Sequence, residues 1–534
     1  MNSMWRMLKK TMDHQPSDKN TEKKQPESKD PLTQDFNDKM EKIHSTFAKS
    51  SDVVIREFQI GKRKRIKAAI IYTDGLADTT TIQDVIMESL MTEESHLDLP
   101  SEQLDPATIV DWVKNNILTM GNVVEVRDYE TLYTTVLSGG TIILIEGVTQ
   151  VLAASTQGWV DRGVQEPGSQ TVVRGPRESF SESLRVNTAL VRRKIKDSAL
   201  YCESKQIGRI TKTSVAVMYI KGIVTDSIVT EVHERLDRID IDGILEGGYI
   251  EELIQDETFT PFPTVFNTER PDTVAACLLE GRVAIVVDGT PFVLVVPSLF
   301  IQNFQAAEDY YQRADISTLL RLLRITCLGI SLLGPSFYIA VTTYHQEIFP
   351  TQLLINLAAQ REGVPFPAFV EALIMEVTFE ILREAGIRMP RAVGQAVSIV
   401  GALVLGQAAV EAGIISASMV IVVSITAIAN FVFPAYSMAI AIRMLRFGMM
   451  FLAATFGLYG VTIGLLALLL HLNSLRSFGI PYMAPFSPFI ADDQKDALFR
   501  FPIWGLFSRP RLINQKNSKR EQNPATSKPE QPSN

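Results

Sequence analysis

Cysteine is scarce in this chain of 534 residues, which contains only Cys202, Cys277 and Cys327. The three lie far apart in the sequence, and none belongs to a CxxC pair. This spacing argues against a disulfide framework and against a cysteine-ligated zinc site. It is typical of a protein whose soluble part occupies a reducing compartment.

Motifs of the common enzyme classes are missing as well. The sequence has no GxxxxGK[ST] phosphate loop, no HExxH motif, no GxSxG elbow and no kinase set, and its six histidines are dispersed. We therefore expect no enzyme activity and no bound cofactor or metal. The net charge of -8 and the lack of a basic face interleaved with aromatic residues argue against nucleic-acid binding.

Charge is nearly absent from Ala392–Phe433, where Glu411 is the one charged residue among 42. A bilayer crossing takes roughly 20 apolar residues. This block therefore predicts two crossings that are joined near Gly413.

The complete pattern predicts an all-α transmembrane domain of about four spans. The predicted spans cover residues 322–344, 392–412, 414–434 and 447–472, and a charged amphipathic helix covers residues 366–389. Arginines before the first span place the preceding head in the cytoplasm by the positive-inside rule. Four crossings also return the basic C-terminus to the cytoplasm, but they put Arg443 and Arg446 on the wrong side. A further crossing by residues 366–389 reverses both results, and we favour four because the tail holds more positive charges.

The part of the chain before the spans predicts an α/β cytoplasmic head, because strand-like and helix-like stretches alternate. Leu137–Leu152 aligns without gaps on Leu279–Leu294, and the preceding helices keep the same register. Two related subdomains explain this match better than two unrelated hairpins with similar turns. The predicted domains are an N-terminal tail (1–51), α/β subdomain 1 (52–155), a joint (156–204), α/β subdomain 2 (205–310), the transmembrane domain (311–490) and a C-terminal tail (491–534).

The joint contains the run RGPRESF, in which a glycine and a proline fix a turn among charged residues. The guanidinium group of arginine can form two parallel hydrogen bonds with a carboxylate. We therefore interpret the run as a joint between subdomains or subunits, or as an anion site. An internal salt-bridged turn is the alternative. The candidate interface residues are Arg174, Gly175, Pro176, Arg177, Glu178 and Phe180.

The joint also carries a family resemblance. Gly158-Trp159, Arg162, Glu166-Pro167, RGPRESF and the run NTALVRR at Asn187–Arg193 resemble the A subunit of spore germinant receptors, the GerA family. The resemblance covers roughly residues 50–510 and includes Ser336–Tyr338, the Pro365–Pro367 loop and the final proline-rich segment.

The resemblance implies a multi-pass protein in the inner membrane of the bacterial endospore, with its head and tail in the cytoplasm. It implies partners: a transporter-like B subunit, which is the better candidate for nutrient binding, and a lipoprotein C subunit. It also implies a homo-oligomer that forms a gated ion channel in the bilayer and triggers germination. The rival hypothesis is a non-conducting scaffold or signalling subunit; a secondary transporter is disfavoured because no inverted repeat is visible.

Two faces are candidate ion-path sites. On a helix, Val400, Val404, Gln407 and Glu411 share one face. We interpret it as a pore face, with a ring of Glu411 favouring cations and the valines acting as a gate. Alternatively, Glu411 caps a loop at the membrane surface.

The second candidate is a vestibule lined by Glu376, Glu380 and Glu384, which share a face of the amphipathic helix. These carboxylates either line a vestibule or pair with basic residues of a neighbour. An ordinary amphipathic surface helix is the alternative.

Overall fold

The computed structural model describes residues 30–60, 66–91, 123–158, 167–168, 170–389, 406–514 and 517–520. These residues form two compact units. The first unit is built around the first β-sheet. The second unit contains the second sheet and all the helices that follow it.

The first sheet has five strands in the order β1-β2-β4-β5-β3. The strands are β1 (Val53–Ile60), β2 (Ile66–Thr73), β3 (Val123–Val126), β4 (Thr141–Ile145) and β5 (Val151–Ala154). The accompanying helices are α1 (Phe36–Phe47), a π-helical turn (Thr81–Met87) that continues into α2 (Glu88–Met91), and α3 (Tyr129–Leu137). The sequence also predicts a helix at Pro106–Leu118 from its helical apolar spacing, but this stretch lies outside the described residues.

The second sheet repeats this order as β6-β7-β9-β10-β8. Its strands are β6 (Leu200–Ile207), β7 (Thr213–Ile220), β8 (Phe266–Thr268), β9 (Val283–Val287) and β10 (Val293–Val296). Its helices are α4 (Leu184–Lys194), α5 (Asp226–Asp237), α6 (Gly247–Ile254) and α7 (Pro271–Leu279). The strand order confirms the repeat that was inferred from the two matching sequence blocks.

The matching turns use glycine at matching positions. Gly139 and Gly281 have φ values of 87° and 93°, and Gly147 and Gly289 have φ values of 82° and 90°. Only glycine adopts this left-handed conformation without steric cost. The glycine pairs therefore fix the same two turns in both sheets.

The sheets differ from the parallel kind that βαβ alternation usually produces. Every strand pairing whose register is described is antiparallel. Direct hairpins at Gly147 and Gly289 join neighbouring strands, and a hairpin makes its two strands antiparallel. The predicted alternation of helix and strand is present, but each subdomain is an antiparallel sheet with added helices.

Side chains alternate across β7 and divide the core of the second sheet into two layers. Val215, Val217 and Tyr219 face a cluster that includes residues of α5 and α6. Ala216 and Met218 face a cluster that includes residues of α4 and α7. This period of two is the geometry of a strand that is buried on both faces.

Within the described residues, six α-helices follow the second sheet. They are α8 (Ala314–Tyr344), α9 (Thr351–Arg361), α10 (Ala368–Arg388), α11 (Gly406–Glu411), α12 (Ala417–Asn430) and α13 (Tyr436–Ser474). Short 3-10 turns at Phe300–Phe304, Ala307–Tyr310 and Gln346–Ile348 connect them to the sheet and to one another.

The helices form a bundle with a near end, where Phe304 packs on Phe433 with ring centroids 5.7 Å apart, and a far end at Tyr344. Helix α8 runs from the near end to the far end. Helix α12 runs back beside it, since Ser418 hydrogen-bonds Tyr338 near the far end. Ser331 then donates to Asn430 at the other end of α12.

Helix α13 reverses direction at Gly457, where φ is 60° and ψ is -143°. A Cβ added to Gly460 would lie 2.2 Å from the Leu452 carbonyl oxygen. Along a straight helix these residues would be about 12 Å apart. The chain therefore forms two antiparallel arms, residues 436–456 and 458–474. Tyr344 donates to the Ala454 carbonyl at 2.8 Å, which places the reversal at the far end.

The predicted spans map unevenly onto these helices. Residues 322–344 lie within α8, whereas residues 447–472 include the reversal at Gly457 and so do not form one continuous crossing. Within the described residues, α8 and α13 are long and apolar enough to cross a membrane. Helix α12 covers most of the predicted span 414–434 and is only about 21 Å long. The span predicted at 392–412 falls mainly on residues outside the described ranges.

After α13 the chain returns to the second sheet. Strands β11 (Arg476–Ser477) and β12 (Ile480–Pro481) form a small hairpin, and 3-10 turns follow at Asp493–Asp496 and Ile503–Gly505. Ser477 Oγ donates to the Thr264 carbonyl at 2.7 Å. Thr225 Oγ1 donates to the Ile513 carbonyl at 2.9 Å. The C-terminal segment is thus attached to the sheet at two separate places.

Candidate functional site

The bundle contains a buried ion pair between Glu376 of α10 and Arg446 of α13. Arg446 Nη1 lies 2.6 Å from Glu376 Oε2, and the side chains are 2% and 4% exposed for Arg446 and Glu376. The same guanidinium donates to the Ser331 carbonyl at 2.7 Å and to Ser331 Oγ at 3.0 Å. One arginine therefore joins α8, α10 and α13.

The next carboxylate along α10 repeats this pairing in a more open place. Glu380 accepts a hydrogen bond from Arg383 and lies 3.5 Å from Arg443 of α13. Glu384, one turn further, pairs with Arg388 at 2.7 Å and is 54% exposed. The structure thus brings Glu376 and Glu380 together with the arginines of α13, and it leaves Glu384 at the surface.

A fourth carboxylate of α10, which the sequence analysis did not select, lies in the first turn of that helix. Glu371 is fully buried and accepts hydrogen bonds from Ser416 N at 2.9 Å and from Ser416 Oγ at 2.7 Å. Arg361 Nε lies 3.5 Å from its other oxygen. The pattern Glu371-Glu376-Glu380 at spacings of five and four was a readable signal, but Glu371 falls outside the charged face of the helix.

Several polar atoms of the residues that pair around Glu371, Glu376 and Glu380 have no hydrogen-bond partner within the described part of the chain. They are Glu371 Oε1, Glu376 Oε1, Arg361 Nε, Arg383 Nε, Arg443 Nε and Arg443 Nη1. Buried polar atoms normally find a partner.

The described half of the pore face is exposed. Gln407 Nε2 donates to Glu411 Oε1 at 2.9 Å on α11, and both residues are accessible to solvent. Val400 and Val404 lie outside the described residues. Gly413, just beyond, has a φ of 64° and approaches the Gly363 carbonyl, which places this turn beside the loop that follows α9.

The RGPRESF run packs against the second sheet and the loop that leads into α8. Arg174 N donates to Glu308 Oε1 at 3.3 Å. Gly175 has a φ of 138°, and a Cβ there would lie 2.6 Å from the ring of Tyr311. Arg270, which is buried, donates to the Pro176 carbonyl at 3.0 Å.

The rest of the run is held by its own subdomain. Glu178 pairs with Arg193 at 3.1 Å and with Lys194 at 3.0 Å. Phe180 is buried in the cluster that α4 and α7 form on the second sheet. Arg177 also has an interaction partner. The run contributes to an intramolecular contact between the sheet and the start of the bundle.

A second buried charge cluster lies where α8 begins, and the sequence analysis did not identify it as a site. Asp309 accepts hydrogen bonds from Arg321 Nε at 3.1 Å and from Arg324 Nη1 at 2.7 Å. Arg321 Nη1 also donates to Asp496 Oδ1 at 3.0 Å. Burial raises the pKa of Asp496, and Arg321 opposes that shift. Asp496 is distant in sequence, so only the amphipathic spacing of the arginines was visible.

No group of three metal-ligating side chains occurs within the described residues.

Comparison with known proteins gives concordant matches along most of the chain. The family described as Bacillus/Clostridium GerA spore germination protein matches residues 41–512. Spore germination protein KA of Bacillus subtilis (strain 168) is 50% identical over 472 residues, which are 88% of this chain and 85% of that protein. The uncharacterized membrane protein YfkQ of the same organism is 44% identical over 495 residues, which are 92% of this chain and 94% of that protein.

Among solved structures, one match is the N-terminal domain of the A subunit of the Bacillus megaterium spore germinant receptor GerK3. It has 42% sequence identity and a TM-score of 0.41, and the match covers 51% of this chain and 98% of that chain.

Proposed function

The chain belongs to the GerA family of spore germination proteins, and on this premise we propose that it is the A-type subunit of a nutrient germinant receptor. In this proposal it resides in the inner membrane of the endospore, with its head and its C-terminal segment in the cytoplasm. It oligomerises and opens a gated ion path when a partner subunit binds nutrient.

The membrane arrangement is supported by the surface of the bundle. Large apolar side chains are exposed along its helices, including Ile428 (66%), Tyr459 (69%) and Leu470 (73%). Large apolar side chains that stay exposed on several helices need lipid or protein to cover them. The reversal at Gly457 adds one traversal of the bundle, so the C-terminal segment returns to the near end.

The observation that carries the channel proposal is the exposed pair of Gln407 and Glu411. The bundle buries Glu371 and Glu376 among hydrogen bonds and ion pairs, whereas Gln407 and Glu411 are exposed on α11 and bond to each other. In a ring of subunits, such groups supply the polar lining and a negative mouth that attracts cations. Val400 and Val404, on the same predicted face, would form the constriction.

Conductance of the purified chain in liposomes tests this proposal. We expect cation-selective currents, and we expect Glu411→Gln to lower the preference for cations over anions. Glu384→Gln is the matched control, because Glu384 is also exposed and hydrogen-bonded to a neighbour on its own helix. Equal effects of the two substitutions, or a membrane that stays impermeable at every protein density, would contradict the pore face.

The alternative function is a non-conducting scaffold that holds a transporter-like B subunit and a lipoprotein C subunit. The ion pairs of Glu376 with Arg446 and of Glu380 with Arg443 favour the scaffold, because they leave no unpaired charge at these carboxylates to line an ion path. An impermeable membrane together with retention of both partners on the purified chain would support the scaffold.

A further inference from the structure

The segment that follows α13 is unusually aromatic. Eight of the 32 residues from Arg476 to Phe507 are aromatic, against 8% of the whole chain. Folding buries some of these aromatic residues, such as Phe478 and Tyr482, but Phe489 is 74% exposed. The aliphatic Ile503 of the same segment is 64% exposed. Large apolar side chains that stay exposed on a packed segment point to a partner surface.

The position of the segment limits what that surface is. Arg500 N donates to Thr318 Oγ1 at 3.1 Å, and Asp496 binds Arg321. These two α8 residues lie within about 11 Å of the start of that helix. Leu319 on the same stretch of α8 is 67% exposed. Residues 496–500 of the segment, which include the partly exposed Phe499, therefore lie at the level where the bundle begins.

A loop of the second sheet reaches the same level. Phe259 is 92% exposed. The adjacent Thr260 hydrogen-bonds His471 Nε2 at 2.9 Å, in the last turn of α13. Two separate parts of the chain thus present exposed phenylalanines beside the near end of the bundle.

Basic residues follow the aromatic segment directly. From Ser508 to Arg520 the sequence has five lysines and arginines and no aspartate or glutamate. Lys495 Nζ lies 4.6 Å from the centre of the Phe507 ring. Aromatic rings with basic residues are typical of the boundary between lipid tails and headgroups, and basic residues are attracted to anionic lipids.

We propose that Phe259, Phe489, Phe499 and Ile503 form an interfacial collar that inserts into the headgroup region of the bilayer around the near end of the bundle. This inference rests on the proposed membrane embedding of the helices. The occupant of the collar is lipid, because hydrogen bonds hold Arg500 beside the start of α8 and Thr260 beside the last turn of α13, where the apolar helices begin and end. The collar fixes the depth of the bundle and holds the C-terminal segment against the membrane.

Site-directed labelling tests the collar in the full chain. Cys202, Cys277 and Cys327 are buried, so a single introduced cysteine accepts an environment-sensitive nitrobenzoxadiazole label. The collar positions are Phe489→Cys and Phe259→Cys. Ile210→Cys, which is exposed on the hairpin between β6 and β7, is the aqueous control, and Leu466→Cys on α13 is the bundle control. The unsubstituted chain gives the labelling background.

The labelled chains are reconstituted in vesicles of phosphatidylethanolamine and phosphatidylglycerol that contain nitroxide-labelled lipids. We expect headgroup-proximal nitroxides to quench the labels at 489 and 259 at least twofold more than the label at 210. Deep-chain nitroxides quench the label at 466 most strongly. Quenching at 466 without quenching at 489 and 259 overturns the collar alone, whereas loss of quenching at 466 as well overturns the membrane embedding. A label at 489 that is blue-shifted but unquenched identifies a protein occupant and also overturns the collar.

Discussion

Arg446 and Glu376 lie 2.6 Å apart, and both side chains are almost completely buried. Their residues are 70 positions apart in the chain. The pair therefore joins α10 and α13 across the bundle, and Ser331 adds α8 to the same contact.

Removing one member of this pair should destabilise the bundle strongly. We expect Glu376→Ala or Arg446→Ala to lower the free energy of unfolding by about 3–5 kcal/mol, because each leaves a buried charge without its partner. The double variant Glu376→Leu/Arg446→Met should lose much less. Thermal unfolding of the purified chain in detergent measures all four proteins. A double variant that is as unstable as either single variant would contradict this account of the buried pair.

The reversal at Gly457 gives a second prediction. Gly457→Ala places a Cβ 2.8 Å from His345 Cε1 in a backbone conformation that other residues rarely adopt. We expect a loss of about 1–3 kcal/mol or more from backbone strain. Gly448→Ala is the matched control, since a Cβ there meets nothing within 4 Å.

Cross-linking measures whether the two arms of α13 remain antiparallel in these variants. Paired cysteines at Met449 and Gly464 should cross-link in the Gly448→Ala background and fail to do so in Gly457→Ala. Equal cross-linking in both backgrounds would contradict the requirement for glycine at position 457.

The close contact between Gly175 and Tyr311 predicts that a side chain at position 175 disturbs the residues at the start of α8. Gly175→Ala inserts a methyl group 2.6 Å from the Tyr311 ring at a φ of 138°, and we expect about 1–3 kcal/mol of destabilisation. Gly289→Ala, which has a similar left-handed backbone but nothing within 4 Å, isolates the contribution of the backbone. The rate of amide hydrogen exchange of residues 307–320 should increase only in Gly175→Ala. An unchanged exchange rate would show that the contact with the Tyr311 ring does not affect the start of α8.

His233 predicts a pH dependence of the head. Burial, followed by the charge of Lys205, lowers the pKa of His233 from its ordinary value of 6.5. The folded state then prefers the neutral ring of His233. Its contribution to the free energy of unfolding is therefore complete above pH 6.5 and is lost as the pH falls through the lower pKa of the folded state. We expect the melting temperature to decline more between pH 7 and pH 5 in the wild type than in His233→Gln. Parallel curves for the two proteins would contradict this assignment.

The buried cysteines should be inert in the folded chain. Burial raises the pKa of the Cys202 and Cys277 thiols to about 12, and the thiolate is the reactive form. Mass spectrometry after treatment with N-ethylmaleimide at pH 7.5 should find both unmodified. Both should react fully in denaturant, and modification of the folded chain within minutes would show that the sheet opens locally.

The repeated part of the fold could be predicted because its signals are local. The glycines at 139 and 281, and at 147 and 289, specify turns through their own conformational freedom. The continuous apolar runs of β4 and β9 indicate strands buried on both faces. Strand polarity was less accessible, because alternation of helix and strand is compatible with parallel and antiparallel sheets.

The bundle could be predicted less well because its decisive contacts are not local. Gly457 lies in an apolar run whose hydropathy resembles one crossing, and hydropathy carries no information about φ. The charged face of α10 was visible, but its partners Arg443 and Arg446 lie on another helix. Asp496 was assigned to a tail because nothing near it in the sequence shows that it binds Arg321.

The return of the chain to the second sheet has a mechanical consequence. The sheet holds the bundle at its entrance, through the loop that carries Tyr311, and at its exit, through Ser477. One contact precedes α8 and the other follows α13. A displacement of the second sheet therefore acts on both of these helices at once.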